Sequence, residues 1–240
     1  MISVDLGPAA TGMFTTRAGG VSAPPYRGLN LGGMSGDDPQ AVARNRQIAA
    51  QALGAPITFA DQVHGIGVLG PEQTDGEADV VLGTDRAVGV LVADCVPVLL
   101  AAPGIVAAVH AGRRGLLAGV VQAALQAIAR RGAPATHAAI GPAICGNCYE
   151  VPEALRAEAV AHDPVLGSRT SWGTPAIDLA AGVHAILRRA GVGHIERVRR
   201  CTFTDARLYS YRREGRTGRF AGLIVPRRTP GTTDGRDTPQ

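Results

Sequence analysis

The feature that most constrains the fold is an apolar, β-branched run in the middle of the chain. Residues 87–93 read AVGVLVA, residues 96–102 continue the run as VPVLLAA, and residues 105–109 (IVAAV) follow after Pro103-Gly104. Runs this continuous suit strands buried on both faces, and Pro-Gly is a turn signal. The expectation is a hairpin in the core. Its register matters. A turn closing at Ala102-Pro103 sets Cys95 opposite His110; a turn at Pro103-Gly104 shifts the register by two and makes the pair diagonal. Opposed Cβ atoms lie about 4.5–5.5 Å apart and diagonal ones about 7–8 Å, so either register lets both side chains reach one ion.

Imidazole nitrogen and thiolate sulfur are preferred zinc ligands. A third ligand of this kind, His64, stands in Gln62-Val63-His64-Gly65. Three protein ligands leave the fourth tetrahedral position open, the pattern of a catalytic rather than a structural zinc. Each residue also has an ordinary reading. Free cysteine is among the most buried residue types, and a lone histidine is commonly a satisfied polar group. The hairpin register favours ligation for Cys95 and His110. It says little about His64, which must arrive from another element.

Along the chain, residues 12–17 read as a short strand and 18–36 as a loop rich in Gly, Ser, Pro and Asn. Asp37 or Asp38 caps a helix that Gly54 stops. Residues 57–69 read as extended, and 79–82 as another strand. After His110 come Ala111-Gly112-Arg113-Arg114-Gly115 and then a long helix to Arg131, with an apolar stripe at Leu117, Val120, Val121, Ala124, Leu125 and Ile128. Residues 137–140 read as a strand, 141–148 as a turn, 152–161 as a helix, and 162–174 as a polar, mobile loop. Asp178 caps a helix ending at Gly191, and strands at 195–199 and 220–225 finish the fold. Strands do not alternate regularly with helices, so the expected class is α+β: a single domain over residues 1–226, with mixed β-sheets flanked by helices. Residues 227–240 lack periodicity and read as a disordered tail.

Composition narrows the functions. All 24 basic residues are arginine, so a lysine nucleophile is excluded and an anion site must use arginine, backbone N–H groups or metal. A net charge of +4 with 4% aromatics does not fit nucleic-acid binding. The apolar stretches fall short of the ~20 residues of a membrane span. Residues 1–10 lack a basic segment followed by an apolar one, so the expected location is the cytoplasm. There the four cysteines, Cys95, Cys145, Cys148 and Cys201, favour free thiols or metal ligation over disulfides. Without a second C-x-x-C, Cys145-Gly146-Asn147-Cys148 reads as a turn with incidental thiols.

An ordered series of motifs runs through the chain: Phe14-Thr15-Thr16-Arg17-Ala18-Gly19-Gly20-Val21-Ser22, Asn30-Leu31-Gly32, Asp37-Asp38-Pro39, Asn45-Arg46, Gln62-Val63-His64-Gly65, Ala93-Asp94-Cys95-Val96-Pro97, His110-Ala111-Gly112, Ile140-Gly141-Pro142, Tyr149-Glu150-Val151, Cys201-Thr202 and Ser210-Tyr211-Arg212-Arg213. In order and spacing the series resembles the YfiH-like family, also called laccase-domain proteins or peptidoglycan editing factors. The resemblance implies zinc held by His64, Cys95 and His110. It implies phosphorolysis of adenosine, inosine, guanosine and methylthioadenosine, and deamination of adenosine. Copper-dependent polyphenol oxidation and editing of peptidoglycan precursors are also described in the family. One His/Cys/His set cannot build a multicopper cluster, so copper carries less weight here.

On this reading His64, Cys95, His110 and Arg17 are catalytic. Arg17, Asn30, Gln62, Asp94 and Arg113 bind substrate, namely purine nucleosides and phosphate. Arginine suits bidentate phosphate capture, and Gly19, Gly20 and Ser22 beside Arg17 would add backbone donors. Deamination needs an acid/base carboxylate near the metal, for which Asp94 and Glu150 are candidates. Successive strand residues face opposite ways, so Asp94 is expected to face away from the metal. Arg113 departs from the family pattern, which has tryptophan there. Two other readings stay open: a cysteine hydrolase with Cys95 as nucleophile and His110 as base, and a non-catalytic binding protein.

Overall fold

The computed structural model describes residues 1–227. The chain opens with β1 (Ile2–Val4) and β2 (Ala10–Phe14), followed by helix α1 (Pro39–Leu53). Next come β3 (Ile57–Phe59), β4 (Val68–Leu69), β5 (Val80–Gly83), β6 (Ala87–Val92), β7 (Val96–Ala102) and β8 (Ile105–Ala111). Helices α2 (Arg113–Ala118) and α3 (Val120–Ala129), strand β9 (His137–Ile140) and helix α4 (Glu153–His162) follow. The last elements are β10 (Gly167–Arg169), β11 (Pro175–Ile177), α5 (Leu179–Arg189), β12 (His194–Arg197), α6 (Tyr211–Glu214) and β13 (Phe220–Pro226).

Two mixed sheets carry the architecture. One has five strands in the order β1-β2-β13-β6-β3, and the other six in the order β12-β9-β7-β8-β5-β4. Between them lies an apolar layer of Phe14, Val88, Val90 and Ile224 against Leu99, Ala101, Val106 and Ala108. The outer face of the six-stranded sheet (Val98, Leu100, Ala107, Val109) is covered by Leu116, Val120, Val121, Ala124 and Ile128 of α2 and α3, and by Val183 and Leu187 of α5. The outer face of the five-stranded sheet packs Met13, Ala87, Ala221 and Leu223 under Ala49 and Leu53 of α1. Helices thus close both outer faces, and the central strands have no wet side. That is why β7 and β8 are buried at every position and their sequences do not alternate.

The hairpin forms with its turn at Pro103-Gly104. Ala102 pairs with Ile105 and Pro97 with His110, and Gly104 takes φ +76°, which glycine supplies without a steric cost. This is the shifted register, so Cys95 and His110 are diagonal neighbours.

Four expectations need correction. Residues 96–102 do not continue the strand of 87–93: β6 belongs to the five-stranded sheet and β7 to the six-stranded one. The long helix after His110 is two helices, broken where Gly119 turns left-handed at φ +97° and returns its N–H to Gly115 and Leu116 carbonyls. Residues 57–69 are not one extended segment, because β3 and β4 are separated by a loop that carries His64. Residues 162–174 are ordered around a one-turn 3-10 helix at Pro164–Leu166 and the β10–β11 hairpin, anchored by buried Leu166. The tail at 227–240 lies outside the described residues except for Arg227, whose N–H donates to the Ala9 carbonyl at 2.8 Å. Among the described residues no helix is long and apolar enough to cross a membrane.

Candidate active site

The site forms where the chain passes from one sheet to the other. Asp94, in that crossing, takes φ +106°, a conformation rarely open to a residue with a Cβ. Strain of this kind persists only where the surroundings hold it. Here the Thr202 hydroxyl donates to Asp94 Oδ1 at 2.5 Å and the Arg212 backbone N–H to Oδ2 at 2.6 Å. The Ile144 N–H also donates to the Asp94 carbonyl at 3.0 Å. The bend delivers Cys95 to the start of β7, beside His110 near the end of β8.

His64 reaches the same place from its loop at φ +60°. What holds that loop is Asp79, a fully buried carboxylate directly before β5. It accepts the backbone N–H groups of Val63 (3.3 Å), His64 (3.1 Å) and Gly65 (2.6 Å). It also pairs with His110 Nδ1 at 2.7 Å, and its own carbonyl accepts the His110 N–H at 2.8 Å. One carboxylate thereby aims both histidines. With Nδ1 occupied, His110 has Nε2 left for the site, the arrangement by which an acidic partner fixes a ligating histidine.

The three side chains converge. Cys95 Sγ lies 3.9 Å from His64 Nε2, and the two imidazoles meet edge to face with centroids 4.7 Å apart. Their ligand atoms all lie within 4.8 Å of one another, so the group could hold a metal ion. Gly112 makes room for it. A Cβ there would sit 2.7 Å from His64 Cδ2 and 3.2 Å from Cys95 Sγ. Gly115, on the first turn of α2, likewise lets that helix approach the Gly65 carbonyl, which a Cβ would meet at 2.8 Å.

Burial opposes charge on Cys95, but the charges and hydrogen bonds of His110 and His64 outweigh it and hold the thiol at about 6. Burial likewise disfavours a charged His110, yet the Cys95 thiolate and the Asp79 carboxylate raise it to about 9. Without a metal, the pair is a thiolate and an imidazolium at neutral pH.

The group opens on a cavity of about 710 Å³ whose walls include Phe59, Tyr149 and Tyr211. Three arginines also line it: Arg46, Arg212 and Arg219. Each is steadied without a carboxylate. Arg46 Nε donates to the Leu31 carbonyl at 3.0 Å and the guanidinium lies over Phe59. Arg212 lies over Tyr149 and donates to the Glu150 carbonyl at 2.5 Å. Arg219 donates to the Thr217 and Gly218 carbonyls at 2.9 and 3.0 Å. Among the described residues none of the three makes a salt bridge.

Of the other residues singled out in the sequence, Gln62 and Asp94 line the cavity. Gln62 is locked by its amide to the Leu91 backbone in both directions, at 2.8 and 2.7 Å. Four do not line it. Arg17 is paired through both terminal nitrogens with Glu214, at 3.1 and 3.2 Å, and stacks on the Tyr209 ring. Asn30 is fully buried, donating to Ser35 and Asp37 and accepting the Gly32 and Arg219 N–H groups. Arg113 opens α2 and pairs with Glu158 at 3.3 Å. Glu150 accepts the Trp172 indole N–H at 2.6 Å.

The sequence reading missed Asp79 and gave no role to Arg46, Arg212 or Arg219. The signal for Asp79 was an acid directly before an apolar strand, where a carboxylate is costly unless partnered. Arg46 and Arg212 stood inside noted motifs, Asn45-Arg46 and Ser210-Tyr211-Arg212-Arg213.

A family model described as "multi-copper polyphenol oxidoreductase laccase" matches residues 11–227. The chain belongs to this family, the YfiH-like proteins. A protein named purine nucleoside phosphorylase from Streptomyces coelicolor is 51% identical over 225 residues, covering 88% of this chain and 93% of the relative. One of the same name from Mycobacterium tuberculosis is 47% identical over 226 residues, covering 88% and 89%. Among solved YfiH-like structures, a Neisseria meningitidis protein superposes with a TM-score of 0.84 at 35% identity, covering 94% of this chain and 98% of its own. YlmD from Geobacillus stearothermophilus superposes with a TM-score of 0.83 at 31% identity, covering 92% and 93%.

Proposed function

We propose that this YfiH-like protein is a purine nucleoside phosphorylase working at a zinc ion held by His64, Cys95 and His110. The observation that carries the reading is one cavity that joins the His/Cys/His group to three arginines without carboxylate partners. The names of relatives at 51% and 47% identity support it.

The donor set fits zinc. Two imidazole nitrogens and one thiolate are ligands that zinc accepts, and the Gly112 cradle leaves a space beside them. Zinc there would act as a Lewis acid at an open coordination position.

The chain's own residues do the rest. Arg46, Arg212 and Arg219 bind phosphate, because a guanidinium fork matches phosphate oxygens and none of the three is held in a salt bridge. Tyr149 and Tyr211 give the purine an apolar, stackable wall. Phosphorolysis forms a bond from a phosphate oxygen to the ribose C1′ and breaks the C1′–N9 bond. The electron pair leaves with the purine, which takes up a proton, and ribose 1-phosphate remains. Fixing phosphate and nucleoside in one cavity lowers the entropic cost of that encounter. Adenosine and inosine both fit this scheme. Adenosine deamination at the same site would draw on Asp61, the acidic side chain of the cavity wall besides Asp94. Four free thiols agree with a cytoplasmic setting.

A second reading rests on the thiolate–imidazolium character of Cys95 and His110, which is also that of a cysteine hydrolase. One experiment separates the two. Protein isolated without added metal is assayed for zinc and for hypoxanthine release from inosine plus phosphate. Bound zinc with phosphate-dependent release, the release lost and the zinc content lowered in Cys95→Ala, is the expected result. A zinc-free protein that liberates no base even after zinc is supplied, and whose Cys95 is readily alkylated, would overturn the phosphorylase in favour of the hydrolase.

A further inference from the structure

A second group of soft ligands lies outside the cavity. Cys145, Cys148 and Cys201 are free thiols whose sulfur atoms all lie within 4.8 Å of one another. They come from two segments: Cys201 is 56 residues beyond Cys145. Cys145 and Cys148 flank a tight turn in which the Cys148 and Tyr149 N–H groups both donate to the Cys145 carbonyl at 2.9 Å. The Cys201 segment is laid beside it by a parallel bridge between Ala143 and Cys201, with the Thr202 N–H donating to the Ala143 carbonyl at 3.1 Å.

One of the three sulfurs already has a backbone donor. Cys201 Sγ accepts the Cys145 backbone N–H at 3.4 Å. Backbone donors aimed at sulfur favour its ionised form. A disulfide between any two of these thiols would strand the third.

We propose that Cys145, Cys148 and Cys201 form a second metal site, a three-thiolate centre for a thiophilic d10 cation, zinc or cuprous copper. Metal–sulfur bonds of about 2.3 Å in tetrahedral geometry put sulfurs about 3.8 Å apart, so the observed cluster needs to contract by an ångström at most. Soft thiolates select such ions. Each thiol that binds releases its proton to solvent, and no change of oxidation state is involved. Among the described residues no histidine or carboxylate completes a fourth ligand within the group. Cuprous ion would be three-coordinate there, and zinc would take an exogenous fourth ligand.

The role is structural. The two bridged segments support residues of the cavity wall. One carries Tyr149, and its Glu150 carbonyl holds Arg212. The other carries Thr202, which holds the strained Asp94 beside Cys95. A cation here fixes that wall without touching substrate.

The test counts ions per chain by native mass spectrometry, on full-length reduced protein stripped and then titrated anaerobically with zinc or with cuprous ion. Two ions are expected for the wild type, one for Cys148→Ser, Cys201→Ser or His64→Ala, and none when His64→Ala is combined with Cys201→Ser. Which metal resists a competing chelator longer in His64→Ala distinguishes zinc from copper. Because a serine variant can misfold, the same point is read in folded His64→Ala by thiol alkylation. Metal should shield Cys145, Cys148 and Cys201, and chelation should expose them. A single ion in the wild type, two ions in folded cysteine variants, equal alkylation with and without metal, or a mass deficit of two hydrogens marking a disulfide in the metal-loaded protein would each overturn the proposal.

Discussion

Asp79→Asn perturbs the site at its most connected point while changing almost no volume. Oδ1 of the carboxylate serves the His64 N–H at 3.1 Å and His110 Nδ1 at 2.7 Å; Oδ2 serves Gly65 at 2.6 Å and Val63 at 3.3 Å. Asparagine keeps one of those oxygens. Whichever way its amide turns, two N–H donors face an NH2 group. Hydrogen bonds to a charged group contribute about 1.5–3 kcal/mol each, so losing two costs about 3–6 kcal/mol before relaxation. Part of the loss falls on metal affinity, because partners that orient a ligating histidine are worth about 10–100-fold there. The rest falls on folding. A zinc competition titration should show Kd rising by about one to two decades, and urea unfolding of the metal-free protein should show a lower midpoint. The acid limb should change too. Burial opposes the Asp79 charge, but the His110 and backbone hydrogen bonds win and hold its carboxyl below the ordinary 3.8. A depressed carboxyl stabilises the fold above its unfolded value and loses that stabilisation as pH falls below about 4 toward its folded value. Asp79→Asn should therefore flatten the loss of stability in that range. An unchanged Kd together with an unchanged urea midpoint would refute the assignment of Asp79 as the group that aims both histidines.

In metal-free protein, alkylation of Cys95 should follow a single titration with its midpoint at about 6, fast above and slow below; a midpoint near that of an ordinary thiol would remove the ion pair with His110. Gly112→Ala should fold normally, since Gly112 has φ −77°, yet bind metal at least about tenfold more weakly because its Cβ meets His64 and Cys95; thermal melts and metal titrations run side by side check both. Arg17→Ala should lower stability by about 1–2 kcal/mol through loss of the Glu214 pair and the Tyr209 contact, leaving the apparent KM for phosphate unchanged. Arg219→Ala should do the reverse, raising that KM with little change in urea midpoint, and steady-state kinetics distinguish the two.

Much of the core was legible because burial on both faces writes itself into sequence as unbroken apolar runs. The β7–β8 hairpin and its two possible registers could be stated from residues 96–109 alone, and the choice between them rested on one turn position. The crossing at Asp94 was not legible. Two adjacent apolar runs look the same whether they continue one strand or leave one sheet for another, and the positive φ that marks the switch has no residue signature when the residue is aspartate. Arg17 shows the limit from the other side. Beside two glycines it resembled an anion cradle, but its partner Glu214 is 197 positions away, and only the fold brings the two together. The three cavity arginines come from α1, α6 and the approach to β13, a convergence that no local spacing encodes. Asn30 reads as a ligand by type, yet it is consumed by holding the chain beside Arg219.

The unequal footing of the three ligands decides how a metal enters and leaves. Cys95 directly precedes a strand buried along its whole length, and His110 is the last residue but one of another, with its amide tied back to Asp79. Their backbones are tied to the core, so they are the less mobile of the three. His64 is exposed and sits on a loop between two short strands, fastened by three amide contacts to a single carboxylate. On the proposed function, an ion held here would exchange through the opening of that loop, at a rate that the residues around Val63 and Gly65 help to set.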